Sequence, residues 1–222
     1  MQHFDKDFLD FFKELASNNN KEWFDLNRKR YEKSVKNSFK SFVETMIQHL
    51  SKYEPSLKDV EAKNCIFRIN RDIRFSNDKT PYKLHASAVI GSNGKKSTAG
   101  NGIYIELSPA HFRVYGGIYE IQKDDLLIVR EGIAANLKAF QKLYSEKKFK
   151  EHFGIIRGEK NKIIPKHLKE AGETEPLIFN KQFYFFTELP AETILNDNFV
   201  ETIEEMYLIT KPIQDFFKEI LK

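Results

Sequence analysis

Along the first fifty residues, apolar side chains recur at intervals of three and four. Phe8, Leu9, Phe11, Phe12 and Leu15 make one such stripe, and Asp5 or Asp7 can accept the first free N–H groups of a helix over residues 5–16. Ser17-Asn18-Asn19-Asn20 interrupts the pattern. A longer stripe follows: Trp23, Phe24, Tyr31, Val35, Phe39, Phe42, Val43, Met46, Ile47 and Leu50. It predicts a helix that opens at Asn20 and stops before Glu54-Pro55, because proline disfavours helical backbone in the residue before it. The other face of that helix carries Lys21, Arg28, Lys29, Arg30, Lys33, Lys36 and Lys40. Such a row reads as a solvated helix face or as a tract facing a phosphate backbone.

At Cys65 the apolar period changes to two. Alternation predicts strands over 65–70, 84–91, 103–108 and 111–115, with a loop holding Gly91, Gly94, Gly100 and Gly102 and a tight turn at Pro109-Ala110. Short connections imply antiparallel pairing, and alternation implies one packed and one outward face. Helical spacing returns over 123–144, with a break near Asn136, and again over 145–153. Pro165 opens a helical turn that Ala171-Gly172 ends. The aromatic run from Gln182 to Leu189 reads as a fifth strand. Residues 197–221 form a last helix, which Pro212 should kink or split near Thr210. The expected fold is α+β: a single domain over 1–222, with an antiparallel meander of about five strands packed on N- and C-terminal helices, one sheet face being polar.

Composition narrows the reading. The chain has 222 residues, 41% of them hydrophobic, and its 20 Phe and 9 Tyr point to an aromatic core. A formal charge of +4 is too small to name a partner by itself. The single cysteine, Cys65, excludes an intrachain disulfide and a multi-cysteine zinc site, and at the head of a strand it reads as a buried apolar residue. No apolar run reaches the length of a membrane span, and Met1-Gln-His-Phe-Asp-Lys-Asp lacks the pattern of a signal peptide, so a cytoplasmic protein is expected. Gly91-Ser-Asn-Gly-Lys-Lys-Ser has the wrong spacing for a phosphate-binding loop, and no hydrolase elbow or zinc-protease motif is present. His3, His49, His111, His152 and His167 show no ligand spacing and read as solvated or capping residues.

One stretch resists a scaffold reading. Arg68 to Lys83 holds five basic residues (Arg68, Arg71, Arg74, Lys79, Lys83) and two acidic ones (Asp72, Asp78). Its core, Arg71-Asp-Ile-Arg-Phe-Ser-x-Asp-Lys-Thr-Pro-Tyr-Lys83, together with the upstream Asn18-Asn19-Asn20-Lys-Glu-Trp-Phe24, resembles the domain-of-unknown-function 2461 family of bacteria and fungi. Gly116-Gly117-Ile-Tyr119, Leu127-Ile-Val-Arg130-Glu-Gly-Ile133 and Lys181-Gln-Phe-Tyr184 fit the same resemblance, which spans nearly the whole chain. Pro165-Lys166-His167-Leu168 departs from the family's Pro-Lys-Gly-aromatic pattern. The resemblance implies a fold and no activity.

Strand parity puts Arg68, His85, Ser87, Tyr104, Glu106, Arg113 and Tyr115 on the outward sheet face, rimmed by Arg71, Arg74, Lys79, Tyr82 and Lys83. Guanidinium forks and tyrosine hydroxyls suit phosphate oxygens, and tyrosine rings can stack a base. The expected ligand is therefore a phosphate-bearing small molecule, such as a nucleotide, or a nucleic acid. In an enzyme reading, a metal-assisted hydrolase or phosphoryl-transfer enzyme, Asp72, Asp78, His85 and Glu106 hold a metal or act as acid and base. In a third reading the Arg–Asp pairs only pin a loop, in a module that interacts through the aromatic strand Phe183–Phe186. Arg130 either reaches the cleft or pairs with a surface Glu. No cofactor, reaction or oligomeric state follows from the sequence.

Overall fold

In the computed structural model, which describes residues 2–97 and 102–222, helix α1 spans Lys6–Ser17 and begins where the apolar stripe begins. The Asp5 carboxylate accepts the Phe8 N–H at 3.3 Å. Helix α2, Lys21–Leu26, opens on Asn20, whose side chain accepts the Trp23 N–H at 2.9 Å. The expected long helix is then interrupted at Asn27. The backbone N–H and the side-chain amide of Asn27 both reach the Trp23 carbonyl, each at 3.0 Å, so the side chain competes with the helical ladder. Helix resumes as α3 (Arg28–Arg30), a π-helical stretch (Tyr31–Asn37) and α4 (Ser38–Leu50).

The first expected strand is not one. Cys65 closes a short helix, α5 (Ala62–Cys65), and is buried, which pushes its thiol pKa up to about 11. Residues 66–70 are held by two isolated bridges, Ile66 to Ala88 and Asn70 to Tyr82, because the segment pairs near its ends and makes no continuous ladder. The sheet therefore has four strands: β1 (Ala86–Ile90), β2 (Ile103–Leu107), β3 (Phe112–Ile118) and β4 (Phe183–Leu189), antiparallel and in sequence order. Ile103, Ile105, Leu107, Phe112 and Val114 are buried, while Tyr104, Glu106 and Arg113 between them are half-buried. Ser108 closes the turn into β3: its hydroxyl donates to the His111 carbonyl at 2.9 Å and accepts the Ala110 and His111 N–H groups. Gly100, part of the expected glycine loop, lies outside the described residues.

Four further helices match the later stripes: α6 (Lys123–Ala135), α7 (Leu137–Ser145), α8 (Lys147–Phe153) and α9 (Lys169–Thr174), with the break at Asn136 where it was expected. Gly172 does not end α9. It sits inside the helix because a Cβ there would come 2.7 Å from the Phe179 ring. The last helix, α10 (Phe199–Ile220), runs through Pro212 without being split, and side chains bridge that turn: Thr210 donates to the Tyr207 carbonyl at 2.9 Å and Gln214 to the Thr210 hydroxyl at 2.7 Å.

These elements form two compact units. One comprises Met1–Lys96, Tyr104–Val114 and Glu188–Glu204; the other comprises Ser97–Ile103, Tyr115–Thr187 and Glu205–Lys222. The first has an aromatic core in which Phe4 meets Phe8 at 4.6 Å, Phe42 stacks on Phe199 at 5.2 Å and Phe112 meets Phe199 edge-on at 4.9 Å. In the second, Phe185 packs edge-on against Phe149 (5.0 Å) and Phe153 (5.3 Å), and Phe183 is fully buried. Gly117 has φ +84°, and a Cβ there would lie 2.1 Å from the Phe183 carbonyl oxygen, so this position requires glycine. Arg130 takes neither expected role: it is buried in the second unit and donates to the carbonyls of Asn180 (2.9 Å) and Phe179 (3.4 Å).

Within the first unit the two sequence blocks meet. Asn19 donates its amide N–H to the Tyr82 carbonyl at 2.9 Å and accepts the Tyr82 N–H at 3.1 Å. Tyr82 is buried, and its ring stacks on Phe24 at 4.1 Å. Each hydrogen bond contributes on the order of 1 kcal/mol. Asn19→Ala is expected to lower unfolding stability by about 2 kcal/mol in urea titrations, whereas Asn18→Ala, whose amide reaches only the exposed Glu14 carbonyl, should cost under about 0.5 kcal/mol. Equal losses would show that the Asn19–Tyr82 pairing is not what ties the blocks.

Candidate functional site

Most of the charge in the Arg68–Lys83 stretch is satisfied locally. Arg71 bonds the Asp78 carboxylate and the Thr80 hydroxyl. Arg74 grips Asp72 with two bonds, Nη2 to Oδ2 at 2.7 Å and Nε to Oδ1 at 3.0 Å. Lys79 donates to the Ile73 carbonyl at 3.0 Å. The Thr80 N–H and hydroxyl, with the Arg71 guanidinium, hold the Asp78 carboxyl down to about 2. The Arg74 guanidinium and its backbone N–H lower the Asp72 pKa. Arg71 N–H to the Pro81 carbonyl (2.9 Å) and Lys83 N–H to the Ile69 carbonyl (2.8 Å) close the base of the loop. Among the described residues, Asp72 and Asp78 bond Arg74 and Arg71, and neither shares a hydrogen-bonding partner with Glu106. Among the described residues, no three His, Cys, Asp or Glu side chains are grouped to hold a metal ion.

Arg68 is different. It is exposed and makes no hydrogen bond or ion pair among the described residues. It lines a groove of about 430 Å³ in the first unit. Six cations border that groove, Arg28, Lys36, Lys40, Lys63, Arg68 and Lys95, with one carboxylate, Glu32. The groove alone thus has a formal excess of five positive charges, against four for the whole chain. Phe12, Phe24 and Phe39 are buried behind it, and Tyr31, Ile66, Phe67 and Ile69 are half-buried within it. Burial pushes the Tyr31 phenol up to about 12. Three of the cations have exposed carboxylate neighbours: Arg28 with Asp25, Lys40 with Glu44 (3.3 Å) and Lys63 with Glu61 (2.9 Å). Such exposed pairs are worth under about 1 kcal/mol and exchange readily for another anion. Lys95 donates to the Ile66 carbonyl at 2.9 Å, and Lys36 makes no ion pair among the described residues.

At the edge of the groove His85 leads to a half-buried network. Glu106 accepts from the Tyr104 hydroxyl at 3.0 Å and lies 2.9 Å from His111 Nε2, 3.8 Å from His85 Nε2 and 3.7 Å from Arg113 Nη1. Arg113 also grips Glu188 at 2.6 Å. The expected face and its rim change at four residues, Arg68, Tyr82, Ser87 and Tyr115. Phe67, not Arg68, meets Tyr104, edge-on at 6.0 Å and with Lys83 Nζ 5.2 Å from its ring, because parity does not carry along a segment outside a ladder. Ser87 is buried, and Tyr82 is a packing residue. Tyr115 belongs to the second unit, stacked on Phe186 at 5.0 Å with Arg157 above that ring at 4.6 Å.

Sequence reasoning missed His111, Phe67, Lys63 and Lys95. His111 precedes β3 directly, and its partner Glu106 lies five positions earlier across a tight turn, which was the available signal. Lys63 and Lys95 carry no periodic signal; the Gly94 turn brings Lys95 to the end of α5, where its amine also lies 3.4 Å from the Lys63 carbonyl. In the second unit His167, in the loop that departs from the family pattern, lies 2.9 Å from Glu131.

Burial lowers the His85 pKa, with the Lys83 and His111 charges adding to it and Glu106 opposing. Burial would raise the Glu106 pKa, but the His111 bond, the His85 charge and the Tyr104 hydroxyl hold it below its ordinary value. Both groups bind protons more weakly in the folded state, so unfolding takes up protons and stability falls as pH falls. The His85 share is lost as pH drops below its ordinary value of 6.5, and the Glu106 share as pH drops below 4.5. His3, also lowered chiefly by burial, adds a term of the same sign. Urea midpoints measured from pH 7.5 to 5 should fall for the wild type and fall less for His85→Gln; equal slopes would refute the His85 contribution.

A family model described as a conserved hypothetical protein (DUF2461) matches residues 7–216. No curated protein matches the chain. The match runs from α1 through α10 and takes in the Asn19 turn, the Arg68–Lys83 loop, the groove and the Glu106 network. The chain belongs to the DUF2461 family of conserved hypothetical proteins.

Proposed function

We propose that the groove of the first unit binds a phosphate-bearing ligand, a nucleotide or a nucleic acid. The observation that carries this reading is six cations and one carboxylate around an aromatic-backed groove of about 430 Å³. Cations recognise phosphate oxygens, and a half-buried apolar floor gives a base somewhere to lie. Arg68 and Lys36 supply charge that no carboxylate among the described residues pairs with. Lys83 stands behind them: burial and the Arg68 charge lower its pKa, while Glu106 pulls it up. Arg71, Arg74 and Lys79 act differently, as the internal ties of a loop that presents Arg68.

A second reading has one observation in its favour. His85 lines the groove, and the Glu106 carboxylate lies 3.8 Å from its Nε2. A histidine kept neutral by burial with a carboxylate behind it is the arrangement of a general base and its orienting group. In that reading Asp72 and Asp78 take no part.

Arg68→Ala should weaken retention on phosphocellulose and binding to a short labelled oligonucleotide by about tenfold, the loss of one charge-assisted contact. Arg74→Ala, which breaks only an exposed pair with Asp72, should bind as the wild type does. If the double variant Arg68→Ala, Lys36→Ala binds with wild-type affinity, the groove is not the site.

A further inference from the structure

We propose, building on that reading, that the groove's occupant is a single strand of nucleic acid spanning about five nucleotides, laid along the helix from Arg28 to Lys40. The helix turns two rows of side chains into the groove. Tyr31, Val35 and Phe39 form an apolar row; Arg28, Glu32, Lys36 and Lys40 form a charged row, each member four residues from the next. The π-helical stretch from Tyr31 to Asn37 favours this alignment, since its N–H groups reach back five residues and its wider turn keeps positions four apart closer to one line.

Length decides between a nucleotide and a strand. The thirteen residues from Arg28 to Lys40 make twelve steps, which at the α-helical rise of about 1.5 Å extend up to about 18 Å. Stacked nucleotides advance about 3.4 Å each, so the row matches about five of them. A mononucleotide can engage only one end of it. The floor decides between single and double strand. Tyr31, Phe67, Ile66 and Ile69 are half-buried and apolar, which suits base faces and not phosphates. In a duplex those faces are already stacked inside the helix, whereas a single strand offers them to aromatic side chains. Glu32, between Arg28 and Lys36 in the row, is a carboxylate that can accept an exocyclic amine of a base.

The test is fluorescence anisotropy with labelled oligo-dT and oligo-U of one to twelve nucleotides, and with a twelve-base-pair duplex. Affinity should climb steeply with length to about five nucleotides and then level off, with the duplex weaker than either single strand. Whichever sugar binds tighter names the source, DNA or RNA. Four phosphate contacts, from Arg28, Lys36, Lys40 and Arg68, give a salt slope of about −3, or a loss of about 50-fold between 50 and 200 mM salt. Lys36→Ala, Lys40→Ala should cut that loss to about sevenfold. Both lysines are exposed, and unaltered thermal unfolding of the variant checks that the fold is intact. A mononucleotide that binds as tightly as the hexamer, or a duplex that binds as tightly as the strand, overturns this proposal and leaves phosphate binding standing. No binding of any phosphate compound overturns both.

Discussion

Asn19 meets Tyr82 with both ends of its amide, and the first unit's candidate site depends on that meeting. One side chain copies the donor and acceptor of a strand neighbour, so it can hold the backbone of a loop 63 positions away without a strand being present. The stacked ring of Tyr82 on Phe24 then sets how deep the loop sits. From there the constraint passes on in both directions. Tyr82 bridges to Asn70, which fixes the start of the loop, and Lys83 and His85 follow it into β1. Without this anchor the loop would be held by the two backbone bonds at its base, Arg71 to Pro81 and Lys83 to Ile69, and by exposed ion pairs, which are weak.

The Arg68–Lys83 stretch and the groove answer the same question about charge in opposite ways. In the loop, Arg71 and Arg74 lie close enough to Asp78 and Asp72 for the charges to pair locally. In the groove, cations come from α3, the π-helical stretch, α4, α5, the extended segment and the Gly94 turn; among its described lining residues Glu32 is the one carboxylate, and Asp25, Glu44 and Glu61 reach three of the cations from outside it. A sequence shows the first kind of cluster as a dense run. It does not show the second, whose members are up to 67 positions apart, from Arg28 to Lys95.

That contrast explains what was legible in the chain. Helices with strong apolar stripes and their caps, Asp5, Asn20 and the Asn136 break, were readable because each rests on neighbours in sequence. The alternation of β2 and β3 was readable for the same reason. The strand expected at 65–70 misled because alternation marks extended backbone, and pairing depends on what lies alongside. Gly172 did not end α9, where it packs on Phe179, and Pro212 did not split α10, where Thr210 and Gln214 add side-chain bonds across the turn. The Lys-rich helix face was visible; that Lys36 and Lys40 share a groove with Arg68 was not, since it is a property of the tertiary fold.

The π-helical stretch carries a consequence for how this family can vary. Side chains around an α-helix advance about 100° per residue, so one residue gained or lost between Tyr31 and Asn37 would rotate everything before it by more than a quarter turn against everything after it. Arg28 and Tyr31 would swing out of register with Lys36 and Phe39, while the ion pairs of Arg30 with Asp7 and Glu14 resist that rotation at the α1 side. The register between the two ends of this segment is therefore set by its length, and not only by the identity of its side chains.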